Sequence, residues 1–214
     1  MKQIRNLDKH RIIQVSISIL ENEGFEKLSM RNIANKLGMK AASLYNHFPN
    51  KIAIVKELQA YYSNPSNRLY NVNFELNSWQ EFVKSYIYSL YKEFMDRPYI
   101  LELFSKYSGE NEFGAMIFEK YLDKMVKFGF SVADSAYISN LIGIYIVGHC
   151  TFALGVLKQK IDAPESMEIK QFSIKYKLTK EFAELGWFDL DRSYSFAVDC
   201  VLNSIAKLRI ESNL

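Results

Sequence analysis

An all-α chain, with a small N-terminal head and a larger helical body, is the fold class this sequence predicts. Three observations carry that reading. Nine Gly and four Pro in 214 residues supply few turn signals. Apolar residues recur at helical spacing along most of the chain. Hydrophobic residues make up 49% of it, ample for a packed core and too many for a disordered segment.

The elements follow in order. Lys9 to Glu23 reads as a helix, with Ile13, Ile17 and Leu20 at i, i+4, i+7 and with Ile12 and Ile19 widening the stripe. Gly24 follows as a C-terminal stop. Ser29 is placed to cap a short second helix whose inward side is Ile33, Ala34 and Leu37, and Gly38 breaks it. A third short helix covers about Lys40 to Phe48, with Leu44 and Phe48 inward, and Pro49-Asn50 ends it. A fourth begins near Lys51, with Ile52, Val55 and Leu58 apolar. Two short helices joined by a tight turn at Leu37-Gly38-Met39 form a helix-turn-helix pattern.

The polar run after Tyr62, "SNPSNRLYNVNFELN", reads as a connection. The expected organisation is therefore a head over 1–51, a connecting helix over 51–62, and a helical body over 63–214. In the body, Ser78 caps a helix with Trp79, Phe82, Tyr86 and Leu90 on one stripe. Further helices are expected at Pro98–Ser108, Glu112–Phe130, Ala133–Lys160, Leu178–Leu185 and Leu190–Ile210, with no element assigned to 162–177.

Charge is unevenly shared. Residues 1–51 hold nine Lys/Arg against four Asp/Glu, while the whole chain is +3, so the body is slightly acidic. A basic head suits a polyanion partner. Aromatic residues divide the other way: the head has only Phe25, Tyr45 and Phe48. Cys150 and Cys200 lie 50 residues apart in apolar helical contexts and are expected to be small buried residues. His10, His47 and His149 are too scattered for a zinc site, and no metal or cofactor is expected. The N-terminal stretch lacks a leader pattern. The apolar run Leu141–Leu157 is short for a membrane span and is expected to be buried between subunits. No G-x-S-x-G, phosphate-binding loop or H-E-x-x-H pattern is present in the sequence, which argues against an enzyme.

The stretch "MKAASLYNHFPNK" carries the binding chemistry. With Leu44 and Phe48 inward, Ala42, Ser43 and Asn46 face out, with Ala41 and Tyr45 at the margins. Asn pairs with adenine, Ser serves either polarity, and an Ala methyl packs on a thymine methyl. Tyr45, His47 and Lys51 stand where a helix edge meets the sugar-phosphate strand, and Arg31 and Lys40 flank them.

These residues also carry a resemblance. Ser29, Arg31, Ile33-Ala34, Leu37-Gly38, Leu44-Tyr45, His47-Phe48 and Lys51 follow the pattern of the DNA-binding domain of TetR-type transcriptional repressors. "SWQEF", "GFSVADSAY", "VGHCTFALG" and "FAVDCVLNSIAKL" resemble the regulatory domain of the tetracycline repressor branch. The resemblance implies phosphate contacts at Tyr45, His47 and Lys51, and a homodimer joined by helices near 133–160 and 190–210. It also implies a double-stranded operator and a small-molecule effector. That branch binds a magnesium–tetracycline complex, and this chain departs from its ligands: "PYILELFSKYS" has no His, and "GVLKQK" has Lys where an acid is expected. An apolar or aromatic effector in a pocket of Tyr86, Leu90, Phe104, Tyr107, Met116, Tyr145 and His149 is expected instead. The competing expectation is a helical adaptor whose head does not bind DNA, against which the basic excess argues.

Overall fold

The computed structural model describes residues 8–68, 70–106, 112–159, 176–184 and 189–211. Every regular element among them is helical. The helices are α1 Lys9–Glu23, α2 Met30–Leu37, α3 Ala41–Tyr45, α4 Lys51–Ser63, α5 Trp79–Asp96, α6 Pro98–Ser105, α7 Glu112–Lys127, α8 Val132–Gln159, α9 Lys177–Glu184 and α10 Leu190–Glu211. Most expected boundaries fall within three residues of these. The expectations for Tyr107, Ser108 and 162–175 lie outside the described residues.

The chain divides into two units. The first comprises residues up to Asn71 together with Lys92–Asp123. Its helix ends are set locally. The Asp8 side chain accepts from the Arg11 N–H at 2.7 Å, starting α1. The Ser29 hydroxyl accepts from Asn32 N–H at 3.1 Å, starting α2. Gly38 ends α2 at φ 68, and the Met39 N–H reaches back to the Ala34 carbonyl at 3.0 Å. α3 is shorter than expected. After Tyr45 the N–H groups of His47 and Phe48 both reach the Leu44 carbonyl at 3.0 Å, so a turn rather than more helix delivers Phe48 to the core.

Two stripes differ from expectation. α1 buries Ile12, Ser16, Ile17, Ile19 and Leu20, leaving Ile13 half-exposed. Ser16 is admitted because its hydroxyl donates to the Ile12 carbonyl at 2.8 Å. α4 buries Ile54, Val55, Leu58 and Tyr62, and Ile52 is 50% exposed. A stripe through 55, 58 and 62 leaves residue 52 off its line.

The C-terminal end of α4 is wired by polar contacts within this unit. Tyr62 donates to Glu21 of α1 at 3.3 Å, and Gln59 donates to the Leu103 carbonyl of α6 at 3.0 Å. Arg97 pairs with Glu93, donates to the Asn67 carbonyl at 3.1 Å, and lies 5.5 Å from the Tyr62 ring centroid. Glu93 also accepts from the Tyr70 N–H at 3.1 Å.

The second unit comprises Val72–Tyr91 and the chain from Lys124 onward. Trp79, Phe82, Val83 and Ile87 of α5 are buried, as are Ile138, Ile142, Ile146 and Ala153 of α8 and Val198, Val201, Leu202 and Ile205 of α10. Trp79 meets Phe130 edge-on at 5.7 Å, beyond the turn at Gly129, whose φ is 92. The expected stripe on α5 is corrected here. Tyr86 and Leu90 are half-buried, and the fully buried line runs through Val83 and Ile87.

α8 has a second apolar face. Tyr137, Leu141, Ile144 and Phe152 are exposed in the single chain, and α10 likewise exposes Phe196 and Leu208. By length and composition alone Val132–Lys158 is apolar enough to cross a membrane, a test that core helices also pass. Cys150 is buried as expected. Cys200 is exposed, contrary to expectation, because it lies on the open side of α10.

Candidate functional site

The surface built around α3 follows from which side chains the core takes. Leu44 is fully buried and Phe48 is 3% exposed, so the helix is fixed in rotation by these two. Ala42, Ser43, Tyr45 and Asn46 are exposed, Ala41 and His47 are half-buried, and Arg31 and Lys40 are exposed on either side of the turn. The outward set is the one the sequence pattern selects: small methyls, a hydroxyl, an amide and a phenol, with cationic groups at the edge.

Lys51 has a more particular setting. It is the first residue of α4, whose cap is the Asn50 side chain accepting from the Ala53 N–H at 3.0 Å. Its ammonium lies over the Phe25 ring, 4.4 Å from the centroid. Burial pushes its pKa below the ordinary lysine value, while the Glu26 carboxylate pulls it back up. A cation held over a ring with no ion pair among the described residues is weakly hydrated and still positive. Lys36 is a different case: it is tied to Glu23, which lowers the carboxyl's pKa. Sequence reasoning missed the ring under Lys51, because 26 residues separate it from Phe25 and no spacing links them.

The expected pocket residues divide between the two units. Phe104 is half-buried and Met116 is 40% exposed, both in the first unit. Tyr107 lies outside the described residues. Tyr86, Leu90, Tyr145 and His149 belong to the second. There Tyr86 and Ser139 share a hydrogen bond at 3.2 Å, joining α5 to α8. Tyr145 and His149 Nδ1 are 3.4 Å apart. His149 is 9% exposed, and its Nε2 is buried with no hydrogen-bond partner among the described residues.

Two further tyrosines close on that imidazole. The rings of Tyr91 and Tyr194 have centroids 5.8 and 5.9 Å from His149, and 4.4 Å from each other. Burial lowers the His149 pKa, and burial raises the Tyr194 phenol and the Cys150 thiol each to about 12. This is an aromatic cluster joining α5, α8 and α10. Tyr194 is also one wall of a hollow of about 260 Å³ shared with Tyr88 and Lys84 of α5 and Asp199 of α10. The sequence signal for Tyr91 and Tyr194 was absent, since neither lies on the stripe expected of α5 or beside the apolar run of α8. Among the described residues no group of three or more His, Cys, Asp or Glu side chains is arranged to hold a metal ion.

The chain is similar to known proteins over nearly its whole length. A family model described as "Bacterial regulatory proteins, tetR family" matches residues 12–58. A second, "Tetracyclin repressor-like, C-terminal domain", matches residues 74–209. Among solved structures, apo ActR from Streptomyces coelicolor is 21% identical, with 97% of each chain covered and a TM-score of 0.74. ActR in complex with actinorhodin is 19% identical, covering 95% of this chain and 97% of that one, with a TM-score of 0.74. TetR from Acinetobacter baumannii AYE is 20% identical over 95% of this chain and 99% of that one, with a TM-score of 0.65. At these identities the structural likeness is one of fold.

Proposed function

The chain belongs to the TetR family of bacterial regulatory proteins, and from that premise we propose that it is a cytoplasmic, ligand-responsive repressor. It binds a palindromic operator as a homodimer and is released by a small apolar or aromatic effector. The observation that carries this reading is the rotation of α3, with Leu44 and Phe48 buried and Ala42, Ser43, Tyr45 and Asn46 turned out. In this reading α3 enters the major groove. Ala41, Ala42, Ser43 and Asn46 meet base edges; Tyr45, His47 and Lys51 meet phosphates; Arg31 and Lys40 flank the contact.

Dimerisation is supported by the exposed apolar faces of α8 and α10, since a large uncovered patch in one chain is an interaction surface. Two helices from each subunit then make a four-helix interface. The effector reading is supported by the tyrosine-rich lining of the second unit and by the unpartnered His149 Nε2. ActR is known with actinorhodin, and a TetR variant from A. baumannii with minocycline. A magnesium-dependent ligand is not part of this reading, since "PYILELFSKYS" has no His and "GVLKQK" has Lys where an acid is expected. An effector acts by binding more tightly to a state of the dimer whose heads do not fit the operator.

The test is binding of the purified protein to DNA upstream of its own gene at two salt concentrations. The wild type binds selectively and loses affinity steeply with salt. A Tyr45→Ala/Lys51→Ala double variant, correctly folded, loses on the order of 10²–10³-fold, since two contacts go from each of two heads. Equal binding to all DNA, or equal binding by the double variant, overturns the reading.

A further inference from the structure

Two ammonium groups share one ring in the first unit. Lys51 Nζ lies 4.4 Å and Lys106 Nζ 5.0 Å from the centroid of Phe25. Lys106, at the end of α6, also has two carboxylates: Glu26 at 3.0 Å and Glu102 at 2.9 Å. Lys51 has the ring and no ion pair among the described residues. Glu26 and, more weakly, Glu102 are the carboxylates whose charge reaches Lys51, and Lys106 pairs with both.

We propose that Lys106 is a positioning residue for operator binding: by holding Glu26 it keeps that carboxylate off Lys51 and leaves the Lys51 ammonium for a backbone phosphate. The inference rests on the reading above, in which Lys51 is a phosphate contact.

The charges around Lys51 support this. Glu26 draws positive charge toward itself and Lys106 repels it, and both act on Lys51. The Glu26 carboxyl is held below its ordinary pKa first by the Lys106 hydrogen bond and charge, and only last by Lys51. Remove Lys106, and Lys51 is the cation left to Glu26. An ion pair there would neutralise the charge a phosphate needs. The Phe25 ring competes less, because a single cation–π contact is weaker than a charge-assisted hydrogen bond.

The experiment uses the full-length protein with Lys106→Gln, Glu26→Gln and the double variant, alongside Lys51→Ala. Both positions are well exposed, at 46% and 81%, so the fold is retained. Operator affinity is measured across a salt series. Lys106→Gln is expected to lose roughly fourfold, because a partly exposed pair shifts each of two heads by about twofold. Its salt slope falls by about one counterion per head. The double variant recovers most of the wild-type affinity, since with Glu26 neutral only the weaker pull of Glu102 on Lys51 remains. A Lys106→Gln protein that binds like wild type, or a loss that Glu26→Gln does not reverse, overturns the proposal. If Lys51→Ala itself has no effect on binding, the phosphate reading fails and this proposal with it. A loss on Lys51→Ala with no effect of Lys106→Gln sinks the proposal alone. An NMR titration of the lysine ammonium groups gives a second readout without DNA. The Lys51 pKa rises in Lys106→Gln and returns in the double variant, and an unmoved Lys51 pKa refutes the proposal.

Discussion

Each unit buries a polar cluster, and the two clusters are built on opposite terms. In the first unit Arg97 and Glu93, 11% and 9% exposed, pair with each other. They then spread further contacts over the Asn67 carbonyl, the Tyr70 N–H and the Tyr62 ring. In the second unit His149 lies among Tyr91, Tyr145 and Tyr194, with one long hydrogen bond at 3.4 Å and a buried Nε2 that has no partner among the described residues. The first arrangement meets buried charge with charge and with backbone, while Arg97 Nε stays buried without a hydrogen bond among the described residues. The second leaves a buried polar atom without a hydrogen bond among the described residues. Compensated clusters hold a segment in one geometry, and an uncompensated one gains when a ligand or a substitution meets the open atom.

The largest expected effect breaks the first cluster. Arg97→Met removes the ion-pair partner of a buried carboxylate and should cost about 3–5 kcal/mol. Urea unfolding would measure it. The Glu93→Gln/Arg97→Met double variant should lose clearly less than the single one, because no lone charge stays buried. Equal losses in the two variants would mean that packing of the Arg97 stem, and not charge compensation, is what matters there.

The second cluster should respond with the opposite sign. His149→Phe removes the unmatched nitrogen and keeps an aromatic ring, so stability is expected to hold or rise by about 1 kcal/mol. The same variant should change the acid response. Burial lowers the folded-state pKa of His149 from its ordinary value of 6.5. Between that lowered value and 6.5 the unfolded chain holds the extra proton and the folded chain does not, so the stability contributed by the neutral imidazole is lost as pH falls. Unfolding curves at pH 7 and at successive steps below 6.5 should therefore show a decline that is shallower in His149→Phe. An identical decline in both proteins would assign acid sensitivity to other groups.

The same contrast explains what could be read in the sequence. α3 was legible because its determinants are local. Ser29, Gly38, Leu44 and Phe48 act within twenty residues, and each is tied to a cap, a positive φ or an inward spacing. Helix limits in the body were legible for the same reason. Faces were less so. α5 was misassigned by about one position because Tyr86 and Leu90 share a spacing with Trp79 and Phe82 as apolar as the buried line through Val83 and Ile87. The His149 cluster needs three helices, α5, α8 and α10, brought together by packing, and no spacing in one helix encodes that. Lys106 was invisible in the same way, because its partner Glu26 is 80 residues distant in sequence.

The smallest expected effect tests how open the His149 site is. Tyr145→Phe removes the hydroxyl 3.4 Å from Nδ1 and leaves the ring. A bond that long is weak, so the loss should be about 0.5 kcal/mol, below the roughly 1 kcal/mol of an ordinary hydrogen bond. If Tyr145 donates to Nδ1, the Nε2 carries the proton and is a donor waiting for an acceptor, which a carbonyl or phenolate oxygen of a ligand would supply. Loss of the hydroxyl then releases the tautomer, and effector affinity shifts more than stability does. A stability loss above about 1.5 kcal/mol would instead mean that Tyr145 fully engages the imidazole. The cluster would then be compensated like that around Arg97, and the contrast between the two units would collapse.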